Sequence, residues 1–72
     1  MPISPTKRVA AAVRIEMQTQ QLTQAHLATA LRISQQSVSR RLSGETPFNV
    51  DELAIIADLL AVDAAVLLLG AA

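Results

Sequence analysis

The chain has 72 residues, no cysteine, a formal net charge of +0 and 51% hydrophobic residues. That is one small domain, residues 1–72, without disulfide staples or thiolate metal sites. The most apolar part, residues 53–72, is broken by Asp58, Asp63 and Gly70, so no membrane span is expected. The N-terminus lacks the apolar core of a signal peptide, which makes the cytoplasm the expected location.

In chain order, helix one is expected to begin near Ser4-Pro5, because Pro suits the first helical position. It runs to Gln18–Gln20, with Val9, Val13 and Met17 on one stripe and Ala12 beside it. Four further starts share a signature. An apolar residue precedes a capping residue and packs on the apolar residue five positions after itself. Leu22-Thr23 with Leu27, Ile33-Ser34 with Val38, Phe48-Asn49 with Leu53, and Val62-Asp63 with Leu67 all fit. Asn49 with Glu52 three residues on resembles a capping box.

Helix two therefore spans Gln24 to Leu31 and turns Leu27, Ala28 and Leu31 inward, Ala28 being small enough for a close neighbour. Helix three spans Gln35 to Leu42 or Ser43, and Gly44 is a natural left-handed stop. Helix four spans Val50 to Ala61 with Leu53, Ile56, Ala57 and Leu60 at core spacing, and a short helix five spans Ala64 to Leu69, ending at Gly70. The fold class is all-α, a compact five-helix domain whose helices two and three form a helix-turn-helix at about residues 23–43.

The zero net charge hides a split. Residues 1–44 hold Lys7, Arg8, Arg14, Arg32, Arg40 and Arg41 against Glu16, a net +5, and residues 45–72 hold Glu45, Asp51, Glu52, Asp58 and Asp63, a net −5. A polyanion is the expected partner of the first half, with the second half facing elsewhere.

Helix three has the build for that partner. With Val38 and Leu42 inward, Arg40 points almost directly away, Gln36 lies beside it, and Ser37, Ser39 and Ser43 flank it. Gln35 sits at the first turn. Gln suits the N6 and N7 edge of adenine, and Arg the O6 and N7 edge of guanine. Expected base contacts are Gln35, Gln36, Ser37, Ser39 and Arg40. Thr23 and Gln24 stand at a helix N-terminus, whose free amides and dipole suit a phosphate. Lys7, Arg8, Arg14, Arg41, Ser43 and Thr46 are the other expected phosphate contacts, which position a protein without reading sequence.

The run Leu22-Thr23-Gln24-x-x-Leu27-Ala28-x-x-Leu31-x-Ile33-Ser34-x-x-x-Val38-Ser39-x-x-x-x-Gly44 resembles the Cro/lambda-repressor-like (XRE-type) helix-turn-helix family. The tail Leu53-x-x-Ile56-Ala57-x-x-Leu60-x-Val62-Asp63-x-x-x-Leu67-Leu68 is similar to its last two helices. The resemblance implies a five-helix domain that binds operator DNA, often as a dimer, in a bacterial or phage transcriptional repressor. It implies base-reading positions at Gln35, Gln36, Ser39 and Arg40, and a Gln24 able to bond Gln35. The chain departs from the family in four places. Gln21 and Arg32 stand where Gly is usual, and at Arg32 that costs energy if the turn needs a positive φ. Arg41 stands at an apolar position and is expected to snorkel outward, with Leu42 filling the space. Glu45 stands in a loop that is often basic.

Ile55, Leu59, Val66 and Leu69 are apolar where the family is commonly polar, and helix four already has its own core stripe. They are expected to form a partner surface, for a homodimer or a further domain. A second reading of the chain is an antitoxin-like or adaptor module that holds a protein partner through this surface. No catalytic constellation, metal set or cofactor motif stands out: His26 is a lone histidine, expected to be solvated or to touch the backbone. One Phe and no Tyr or Trp leave no stacking platform for single-stranded RNA.

Overall fold

The computed structural model describes residues 4–69. They form five helices: α1 (Pro5–Thr19), α2 (Gln24–Leu31), α3 (Gln35–Leu42), α4 (Val50–Leu60) and α5 (Ala64–Leu69). Gly70, the expected stop of the last helix, lies outside the described residues. Each expected helix is present, because each start is written in side chains that accept amide bonds. The side chains of Ser4, Thr23, Ser34 and Asn49 accept from the amides of Lys7, His26, Ser37 and Glu52. Asp63 Oδ1 accepts from the Ala65 amide at 3.0 Å.

The Asn49–Glu52 capping box forms in both directions, at 2.7 and 3.0 Å. A second box exists at Thr23, where His26 takes the place of the usual Glu or Gln: its Nδ1 accepts the Thr23 amide at 2.9 Å. The lone histidine thus touches backbone.

Three of the connections follow one rule. Gln21-Leu22-Thr23, Arg32-Ile33-Ser34 and Ala61-Val62-Asp63 each consist of a left-handed residue, an apolar residue and a helix cap. The first residues have φ of 58°, 57° and 56°. The amide of the apolar residue bonds back five positions, Leu22 to Met17, Ile33 to Ala28 and Val62 to Ala57, at 2.9, 3.1 and 3.0 Å. This is the Schellman closure of a helix, and it normally employs Gly. Arg32 therefore does adopt the positive φ considered for it, and Gln21 adopts one as well. Ala61, expected as the last residue of helix four, stands just past it in the same conformation.

A non-Gly residue held at such a φ is strained. Ala61→Gly is expected to raise stability by about 0.5–1 kcal/mol, a Tm rise of roughly 3–6 °C. Thermal unfolding followed by circular dichroism measures it, and an unchanged Tm would show that this turn stores no strain.

The core joins all five helices. Val9, Val13 and Met17 of α1, Leu27 and Ala28 of α2, Val38 and Leu42 of α3, Leu53, Ile56, Ala57 and Leu60 of α4, and Leu67 of α5 are buried together. The half-buried Leu22, Ile33, Phe48 and Val62 pack against this cluster as the staple pattern requires. Leu31 is half-buried too, and Ala10 is fully buried although it lies off the expected α1 stripe. α2 packs on α3 and α4, while α1 packs on α3 and α5. No helix among the described residues is long and apolar enough to cross a membrane.

Candidate nucleic-acid interface

α3 is seated by two residues. Val38 is 0% exposed and Leu42 6%. Everything opposite them is presented outward: Gln35, Gln36, Ser39 and Arg40 are exposed. Ser37 is half-buried, and its hydroxyl accepts from Ser34 Oγ at 3.0 Å, so part of its capacity serves the helix start. Gln24 is exposed at the start of α2, and no hydrogen bond joins it to Gln35 among the described residues.

The surroundings suit an anion. No acidic residue lies in the first turn of α2, so its dipole end is uncompensated. Beside it runs an open groove of about 330 Å³, lined by Arg14, Gln18, Thr23 and Gln24 together with the apolar Met17, Leu22 and Leu42. Arg40 and Arg41 lie in the last turn of α3, where cations complement the helix dipole.

The remaining expected phosphate residues divide. Lys7 and Arg8 are exposed. Lys7 is also brought to the end of α3, because its Cγ lies 2.8 Å from where a side-chain carbon on Gly44 would stand. Gly44 has φ +83°, so this position needs both the backbone freedom and the missing side chain. Ser43 is exposed but its Oγ donates to the Arg40 carbonyl at 2.9 Å. Thr46 is half-buried, with its amide bonded to the same carbonyl at 3.2 Å. Arg14 Nη1 donates to the Leu42 carbonyl, tying α1 to the end of α3. Arg41 does not snorkel outward as expected. Its side chain is only 18% exposed and pairs with Glu52 of α4, because a carboxylate already held by the Asn49 cap stands within reach.

Sequence reasoning missed the internal engagement of both arginines. It also missed Gln20, whose Nε2 donates to the Leu60 carbonyl at 2.7 Å and ties α1 to the end of α4. The available signal for Arg41 was its place at an apolar family position together with a glutamate in the first turn of the next helix.

A family model described as "Helix-turn-helix" matches residues 13–67. The chain belongs to the helix-turn-helix family. Within it the XRE-type, Cro/lambda-repressor-like resemblance holds. The crystal structure of the clp gene regulator ClgR from C. glutamicum has the same fold, with a TM-score of 0.85 and 24% identity. The superposition covers 94% of this chain and 88% of that one. No curated protein sequence matches. In a helix-turn-helix protein α3 is the second helix of the motif, the one that enters the major groove in this class of domain.

Proposed function

We propose that this helix-turn-helix protein is a sequence-specific double-stranded-DNA-binding transcriptional regulator, a bacterial or phage repressor or the DNA-binding domain of one. The observation that carries the reading is the exposed row Gln35, Gln36, Ser39 and Arg40 on a helix whose opposite face is buried. Gln36 and Arg40 offer bidentate contacts to adenine and guanine edges. Ser37 and Ser39 are short and let the backbone approach. Thr23 and Gln24 take a phosphate at the start of α2, and Lys7, Arg8, Ser43 and Thr46 supply further backbone contacts. The role is binding and regulation, not catalysis, at the nucleoid in the cytoplasm. That the fold matches a protein titled a gene regulator supports the regulatory part.

Ile55, Leu59, Val66 and Leu69 are 42%, 38%, 44% and 70% exposed, which supports a partner surface on α4 and α5. A second copy is the occupant we favour, with a further domain next. The same exposure favours, as a second reading, a module that holds another protein and binds DNA weakly.

Selection from random duplex DNA tests these readings together. A single enriched motif is expected, and affinity for it that falls steeply with salt, because phosphate contacts release counterions. Two half-sites about 34 Å apart would mark a two-fold pair. Equal, weak binding to every sequence would defeat the sequence-specific reading.

A further inference from the structure

Arg41 adjoins the reading residue Arg40 on α3, yet its guanidinium turns the other way. Nε donates to both carboxylate oxygens of Glu52, at 3.1 and 3.2 Å. Nη1 donates to the Ser37 carbonyl one turn back, at 3.2 Å. Glu52 is itself locked, since its Oε1 accepts the Asn49 amide at 3.0 Å and its amide donates to Asn49 Oδ1 at 2.7 Å. The two side chains keep 18% and 12% of their exposure.

We infer that Arg41 is a positioning residue, which sets the angle of α3 against α4 so that Gln36 and Arg40 face the groove, and that it does not bind a DNA phosphate. This role rests on the DNA-binding reading above. Three observations carry it. α4 packs more extensively on α2 and α5 than on α3, and the Arg41–Glu52 pair is a polar link between α3 and the first turn of α4. α3 buries Val38 and Leu42 and is held by α2 and α1, with Arg14 tied to its end, so the ion pair adds the restraint from the α4 side. Finally, the Nε–H is shared between both oxygens of a carboxylate whose own orientation is fixed by the capping box, while Nη1 holds the Ser37 carbonyl, so the planar guanidinium is restrained in direction as well as distance. A partly exposed pair adds little to stability. Its effect is on geometry. A phosphate seeking Arg41 would first have to displace Glu52.

The test uses Arg41→Gln and Glu52→Gln in the whole chain, against the selected operator and an unrelated duplex over a salt series. Gln at position 52 can still close the capping box, so the start of α4 is kept. Each variant is expected to lower the preference for operator over unrelated duplex about tenfold, and the double variant no further than either alone. Arg41→Gln is expected to leave the salt slope on unrelated duplex unchanged. A slope flattened by about 0.9 would place Arg41 on a phosphate and overturn the assignment. So would a Glu52→Gln protein that binds every duplex more tightly with its preference intact, because a freed guanidinium would then be reaching DNA. Should a single variant unfold at the assay temperature, Arg41→Met with Glu52→Gln removes the ion pair and keeps the capping box. It must show the same lost preference at an unchanged slope, and retained preference overturns the role. Wild-type protein that binds no duplex would instead defeat the DNA-binding reading, and this role with it.

Discussion

Replacing Arg40 with alanine is expected to weaken operator binding by about 1–3 kcal/mol and to relax the preference at one base position. The side chain is exposed and points away from Val38 and Leu42, so its removal opens no cavity. What Arg40 does for the fold it does through its carbonyl, which accepts the amides of Glu45 and Thr46 at 3.0 and 3.2 Å and the Ser43 hydroxyl at 2.9 Å. Alanine keeps that carbonyl. Stability should therefore change by no more than about 0.5 kcal/mol, as for other surface substitutions. Arg40→Lys keeps the charge but loses the planar fork that matches guanine O6 and N7, so it should lose discrimination at that position and keep most non-specific affinity. Binding-site selection with each variant, beside a thermal melt, measures both effects. A selected motif unchanged in Arg40→Ala would remove Arg40 from the reading face.

Leu27→Ala is expected to cost about 2–5 kcal/mol of stability. A domain of this length holds roughly 4–11 kcal/mol in all, so the variant should be partly unfolded near 37 °C. Leu27 is 0% exposed on α2, the helix that packs against both α3 and α4. The cavity left by truncation would open beneath the seat of α3. Leu27→Met conserves volume and should cost less than about 1.5 kcal/mol. Urea unfolding followed by circular dichroism separates the two. A midpoint for Leu27→Ala equal to that of the wild type would contradict the packing described. Operator binding by the alanine variant should fall with the folded fraction and be regained at lower temperature, because α3 itself is untouched.

The helix starts were legible because a cap acts over three residues. Thr23, Ser34 and Asn49 each accept an amide three positions on, and the apolar staples sit five apart. The exposed face of α3 was legible because two buried residues four apart orient a short helix. The strain at Gln21 and Arg32 was legible only as a departure from glycine at matching family positions, and Ala61 lacked even that signal. Ala10 was missed because alanine fits a stripe or a surface equally well, and only the approach of neighbouring helices decides which.

The destinations of the long polar side chains were not legible. Arg41 and Glu52 are eleven positions apart with a loop between them, Arg14 reaches a carbonyl 28 positions away, and Gln20 one 40 positions away. From sequence, Arg14 and Arg41 are expected at phosphates, Glu52 is expected only to close a cap, and Gln20 carries no expectation. By itself, then, the sequence determined where five helices begin, which faces they bury and which row of α3 is left for a partner, since capping and periodicity act within a turn or two. Only the tertiary structure decided which cations are already committed, because a flexible side chain takes whichever acceptor the crossing of two helices brings within about 3 Å.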